Sequence, residues 1–142
     1  MMMTSRISYP QGNRRAQDLP VYKKAVEIFS MSRELVRLAT ADKNLLDMSL
    51  SRERLDRISS SLLSSSIGLA PSIAMVEGSP DPLMRIKSLR FLQQETGKLQ
   101  RYCEQIDSRL GHSKTFVKRL QNEIVQFRKL QSHWVGRLRE LN

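Results

Sequence analysis

The sequence contains a single cysteine, Cys103, which excludes a fold held together by internal disulfides. An unpaired thiol is usual in a reducing compartment. The opening residues lack the apolar centre of a signal peptide. No apolar run approaches the ~18 residues of a transmembrane helix. We therefore predict a cytoplasmic protein that does not bind a membrane.

Glycine and proline are also scarce, with six and five in 142 residues, and no stretch alternates apolar and polar residues as a half-buried strand would. A chain of this length is expected to form one domain with a real core. These features predict an all-α fold.

Residues at the spacing of a catalytic or metal-binding site are missing as well. His112 and His133 are the two histidines, and neither has a cysteine or a carboxylate at ligand spacing. Cys103 lies at helical offsets from apolar residues, so we interpret it as a small core residue. No glycine-rich phosphate loop or HExxH motif occurs. We expect no metal, no cofactor and no enzymatic activity.

Positive charge is what the sequence has in excess: 24 Lys and Arg against 14 Asp and Glu give a formal net charge of +10. This surplus favours an anionic partner, such as nucleic acid, an anionic membrane surface or an acidic protein. Residues 1–17 show no periodicity and are predicted to be a flexible basic arm. Arg14 and Arg15 in this arm are candidate nucleic-acid contacts, and a solvated tail is the alternative.

Residues 18–142 contain four amphipathic segments with short joins, which predicts an antiparallel up-and-down four-helix bundle. Asp18 and Asp81 are the predicted N-caps, each with a proline in the following turn. Pro71 should kink the second helix or mark a break in it, because proline removes a backbone donor and crowds the preceding turn. The predicted helices cover residues 18–40, 51–76, 82–110 and 115–141. The first helix is predicted to bury Val21, Ala25, Phe29, Ser32, Val36 and Ala39.

The third predicted helix has two opposite faces. One is mostly apolar and should face the core. The other, the cationic face, gathers five basic residues within roughly 100° of arc, namely Lys87, Arg90, Lys98, Arg101 and Arg109. Acidic residues would be interspersed on an ordinary surface, whereas here Gln94 is near the middle of the face, with Glu95 and Glu104 on its margins. The pattern predicts binding of an anion, and a plain solvated surface is the alternative.

The fourth predicted helix carries more apolar surface than one bundle needs. Val117, Val125 and Val135 widen its apolar stripe, and Trp134 lies near its C-terminal end. Apolar surface left exposed usually marks an interface. These four residues are therefore predicted to lie at the interface of a closed homo-oligomer. For Trp134, a core position is an alternative, and stacking on a base is another.

Several stretches resemble one bacterial four-helix-bundle superfamily. LPVYKKAVEIFSMSREL (Leu19–Leu35) resembles its first helix, and APSIAMVEG (Ala70–Gly78) is similar to the proline-containing end of its second. The superfamily includes proteins encoded in intervening sequences of large-subunit ribosomal RNA. It also includes the accessory variability determinants (Avd) of diversity-generating retroelements. Trp134, Val135 and Arg137 match a pattern common in the final helix of Avd proteins, and Leu99-Gln100-Arg101 resembles their third helix.

The Avd resemblance implies a cyclic pentamer that forms a basic barrel and supplies no catalysis. It implies binding to a retroelement reverse transcriptase and to its template RNA. The expected partners are RNA and single-stranded DNA, a reverse transcriptase and further copies of the chain. Two alternatives stay open: a related bundle associated with ribosomal RNA, and a helical scaffold that binds only protein.

Overall fold

The computed structural model describes residues 16–41, 43–107 and 114–141, and these residues form six helices and no strand. The predicted all-α class is confirmed. In chain order the helices are α1 (Pro20–Ala39), α2 (Leu45–Leu50), α3 (Arg54–Ile67), α4 (Leu69–Gly78), α5 (Pro82–Asp107) and α6 (Lys114–Leu141). Arg14, Arg15, Arg109 and His112 lie outside the described residues.

Prolines mark the starts of α1 and α5, where a missing backbone N–H costs nothing. At α5 the Asp81 carboxylate accepts a hydrogen bond of 3.0 Å from the backbone N–H of Leu83, as expected of an N-cap. At α1 the N-cap is Leu19, so the prediction of Asp18 was wrong by one residue. Asp18 belongs to a preceding turn, in which the Leu19 N–H donates to the Ala16 carbonyl at 3.1 Å.

The segment between α1 and α3, interpreted from the sequence as a plain connection, contains the short helix α2. Asn44 starts this helix by accepting a 2.8 Å hydrogen bond from the backbone N–H of Asp47. Lys43, just before it, forms an ion pair of 2.5 Å with Asp56, a buried carboxylate in the first turn of α3. This pair holds the connection against α3.

The predicted second helix is interrupted at Gly68, three residues before Pro71. Pro71 therefore lies in the first turn of α4, where its missing donor and its ring are tolerated. The serine-rich tract from Ser59 to Ser66 is helical, and Ser59, Ser65 and Ser66 are buried. Small hydroxyl side chains on this face let neighbouring helices approach closely.

The helices pack around one continuous core. The α3–α4 pair contacts both α1 and α5, and α6 contacts α1 and α5 as well, while α2 packs on α3. Because α1 has neighbours on two sides, its buried stripe is wide. Val21, Ala25, Ser32 and Val36 are buried as predicted, Ile28 and Leu35 are buried too, and Phe29 and Ala39 are only partly covered.

By length and composition alone, the segment Arg54–Gly78 could cross a membrane. The expectation that no stretch approaches such a span was therefore wrong, because serines between the apolar residues do not lower hydropathy as charges do. The core helix of a soluble protein can have the same length and composition. In this fold Leu62, Leu69 and Ile73 of the segment are fully buried.

Candidate nucleic-acid interface

Of the described residues on the cationic face of α5, three have no acidic partner and one forms an ion pair. Lys87, Arg90 and Arg101 are exposed, and none of them forms an ion pair with another described residue. Leu92 and Leu99, on the opposite side of the same helix, are fully buried. The packing of α5 therefore directs these three cations to solvent.

Lys98 differs from the other members of the cationic face because it has a partner. Its Nζ lies 2.8 Å from Oε2 of Glu95, and this hydrogen bond is the main cause that raises the pKa of Lys98. Glu95 is itself buried, and its Oε1 accepts a 2.9 Å hydrogen bond from the Ser65 hydroxyl of α3. From the sequence Glu95 was expected on the margin of the cationic face, whereas it is directed toward α3. Its carboxylate compensates the Lys98 charge.

A groove between α5 and α6, here called the α5–α6 groove, extends the basic surface onto α6. One part is a cavity of about 530 Å³ lined by Gln100, Val125, Arg128, Lys129 and Ser132. A second, of about 260 Å³, is lined by Gln93, Gln131, Ser132, Val135, Gly136 and Arg139. Ser132 lines both, so the two cavities adjoin.

The α5–α6 groove runs beside the free cations of α5. Arg90 precedes Gln93 by three residues, and Arg101 directly follows Gln100, so both lie on the face next to the groove. Across the two helices, Gln100 Nε2 donates to the backbone carbonyl of Gln121 at 3.4 Å. Basic residues of two neighbouring helices therefore flank the α5–α6 groove.

Arg128, Lys129 and Arg139 were not among the predicted site residues, although the sequence holds a signal for them. Residues 82–107 and 114–141 together contain twelve basic and five acidic residues, whereas residues 16–81 contain eight basic and nine acidic ones. Two of those five acidic residues are paired, Glu95 with Lys98 and Glu123 with Lys24 of α1. The positive charge of the described residues is thus concentrated on α5 and α6.

Of the four residues predicted at an oligomer interface, three lie inside the chain's own core. Val117 is fully buried, and Trp134 and Val135 are 5% and 8% exposed. Trp134 Nε1 donates a 2.8 Å hydrogen bond to Glu77. These side chains have little surface left for a second copy, because α6 packs on both α1 and α5 and needs a wide stripe. Val125 is 43% exposed and lines the α5–α6 groove.

Exposed apolar surface lies instead around the start of α5. Leu83 and Ile86 are 66% and 52% exposed. A cleft of about 340 Å³ beside them is mostly apolar and has two arginines in its lining; it is formed by Val76, Pro82, Arg85, Ile86, Leu89, Val135, Leu138 and Arg139. Phe91, further along α5, is 45% exposed and packs beside Gly68, where an added Cβ would lie 3.4 Å from its ring.

Of the residues that the structure describes, no cysteine or histidine lines the two cavities of the α5–α6 groove. Burial raises the pKa of the Cys103 thiol to about 12, so it stays protonated at neutral pH. His133 is exposed. Within the described residues no three Cys, His, Asp or Glu side chains are grouped as metal ligands would be. The α5–α6 groove carries cationic side chains and glutamine amides, which are suited to binding phosphates and bases.

No family model, curated protein or solved structure matches this chain.

Proposed function

We propose that this protein is a non-enzymatic nucleic-acid-binding protein, and that RNA and single-stranded DNA bind along α5 and α6. The observation that carries the proposal is the separation of charge within the described residues. The excess of basic residues lies on these two adjacent helices, and Lys87, Arg90 and Arg101 have no acidic partner there. Cations without partners are available to neutralise phosphates.

Affinity in this proposal comes mainly from the release of counterions. Each phosphate neutralised by a lysine or arginine frees a condensed cation, so binding weakens as salt is added. Arg128, Lys129 and Arg139 beside the groove add to the cationic face of α5. Arg109 and the arm residues Arg14 and Arg15 are proposed to contribute further phosphate contacts.

The biological role follows from the resemblance to Avd proteins. We propose that the chain is an accessory subunit of a diversity-generating retroelement, located in the cytoplasm, that holds template RNA and reverse transcriptase together. In this proposal the fold is a four-helix bundle in which α3 and α4 together form the second helix. Further copies of the chain would close a ring, with a pentamer as the expected size.

The experiment that tests nucleic-acid binding is a salt titration. A labelled single-stranded RNA is mixed with the purified protein between about 50 and 200 mM salt, where a protein that makes 6–10 phosphate contacts loses ~10³–10⁵ in affinity. We expect a steep loss of binding over this range, with a smaller one if fewer phosphates are neutralised. The absence of binding at the lowest salt concentration would refute the proposal.

A purely protein-binding scaffold is the second candidate function, because the cleft beside Leu83 and Ile86 exposes apolar surface. Exposed apolar patches often mark protein interfaces. Binding through such a surface should respond little to salt, unlike binding to RNA. The salt titration, repeated with a reverse transcriptase as ligand, therefore separates the two candidates.

A further inference from the structure

Two glycines lie inside long helices on either side of the α5–α6 groove, Gly97 near the middle of α5 and Gly136 in the last third of α6. Gly97 lies on α5 one turn from Gln93 and Gln100, which line the two cavities, and Gly136 lines the smaller cavity from α6. A Cβ added at either glycine would meet nothing within 4 Å. Glycine inside a helix lowers stability relative to alanine. Packing within the described residues therefore gives no reason for either glycine.

A second, independent feature of the same cavity is a buried amide without a hydrogen bond. Gln131 is 7% exposed and lines the smaller cavity. Its Oε1 is buried and has no donor among the described residues. A buried oxygen left unpaired is destabilising, and such groups are rare in folded proteins. Because Gln131 lines the cavity while its Oε1 is covered, we expect its amide to turn toward a donor on a molecule that enters there.

The lining of this cavity indicates what that molecule is. Gln93 and Gln131 each carry an amide with donor and acceptor groups, which match the edge of a nucleobase. Arg139 adds a guanidinium, which suits a phosphate. Gly136 leaves room for a backbone to approach closely, a common use of glycine at ligand sites.

The surrounding groove is long enough to hold several nucleotides of a single-stranded nucleic acid. Five of the α6 residues that line it are three or four positions apart and so lie along one side of the helix, namely Val125, Lys129, Ser132, Gly136 and Arg139. At 1.5 Å per residue this line is roughly 21 Å long. Base edges in a duplex are already paired and cannot enter a cavity of this kind, whereas those of a single strand are free.

We propose that the cavity between Gln93, Gln131 and Arg139 is a nucleotide subsite for single-stranded nucleic acid. The base edge contacts the two glutamine amides, the phosphate contacts Arg139, and the backbone passes over Gly136 and Gly97. This inference rests on the proposed function and deepens it, since it assigns an unpaired nucleotide to a particular cavity.

The test uses substitutions that should strengthen the fold while they weaken binding. Gly136→Ala and Gln131→Leu in the full chain are each expected to raise Tm by roughly 2–4 °C, since the first favours the helix and the second removes an unpaired oxygen. Both should reduce affinity for a short labelled single-stranded RNA by roughly fivefold or more, the loss expected of a base contact. Ser30→Ala, on an exposed position of α1, is the matched control and should leave affinity unchanged.

The outcomes separate this inference from the proposed function. A higher Tm with unchanged RNA affinity in both variants would overturn the subsite, while salt-dependent binding by the wild type would still support the proposed function. A lower Tm in both variants would also overturn it, because the native residues would then serve packing. If the wild-type protein binds no RNA at low salt, the proposed function fails and the subsite fails with it.

Discussion

Trp134 Nε1 donates a hydrogen bond of 2.8 Å to Oε2 of Glu77, which joins α6 to the last turn of α4. The two residues are 57 positions apart in the chain. Trp134 is 5% exposed, so its ring has little surface available to a nucleic acid.

Trp134→Phe should lower the free energy of unfolding, because Glu77 loses its donor and a larger ring is replaced by a smaller one. We expect a loss of about 1–3 kcal/mol in urea unfolding. Glu77→Gln is the matched control: it keeps an acceptor oxygen and should cost less. If Trp134→Phe left stability unchanged but abolished RNA binding, a stacking role would replace the structural one.

Charge reversal of Arg90 and Arg101 together should weaken RNA binding strongly and leave helicity intact, because both side chains are exposed. The slope of log affinity against log salt should fall by about 0.7 for each phosphate of a single strand that is no longer neutralised. The control is Lys23→Glu with Arg57→Glu, the same charge change at exposed positions on α1 and α3. Equal reductions of affinity in the two double variants would mean that net charge, rather than the cationic face, governs binding.

Glu95→Gln should have opposite effects on stability and on binding. The substitution removes the charge that holds Lys98 but keeps an oxygen that can accept from Ser65. Released from its partner, Lys98 becomes available to a phosphate, so RNA affinity should rise by roughly two- to fivefold at low salt, and Tm should fall slightly. Lys98→Gln serves as the comparison. Unchanged affinity in Glu95→Gln would show that Lys98 lies off the path of the nucleic acid.

Acid should weaken the attachment of the α1–α3 connection. The hydrogen bond from Lys43, with a smaller contribution from Ser51, lowers the pKa of Asp56 below its ordinary value of 3.8. A carboxyl group whose pKa is lowered on folding stabilises the folded state above its unfolded pKa. That stabilisation is lost as pH falls through the folded pKa. The urea midpoint of the wild type should therefore drop below about pH 4.

Asp56→Asn should be less stable than the wild type at pH 7 and should lose less stability on acidification. Glu34→Gln is a control, since Glu34 belongs to an exposed pair with Arg37 and also has a lowered pKa. Its effect should be smaller because the pair is solvated. Parallel pH profiles for the wild type and Asp56→Asn would contradict the assignment.

Light scattering at micromolar concentration should give a mass above that of one chain. Three of the four residues predicted at the interface are buried in the core, so the exposed apolar surface near Leu83 and Ile86 is the better candidate for contact between copies. Ile86→Lys should lower the mass, and Ser30→Lys, an exposed change on α1, should not. A monomer mass for the wild type, with RNA binding retained, would exclude the ring.

The sequence by itself determined the local features of the fold. The start of α5 follows from Asp81 and Pro82, because a cap and a proline act within one helical turn. The separation of Leu92 and Leu99 from Arg90 and Arg101 follows from the helical period alone. The concentration of charge in the second half of the chain is also present in the sequence.

Only the tertiary structure decided which neighbours each face meets. Glu95 was placed on an exposed margin by its helical angle, yet Ser65 of another helix covers it and Lys98 pairs with it. Val117 was interpreted as surplus apolar surface, yet it is fully buried because α6 has neighbours on two sides. The cavity around Gln131 exists only where α5 and α6 meet. Helical periodicity gives the direction of a side chain from its own axis, whereas burial and pairing depend on elements distant in sequence.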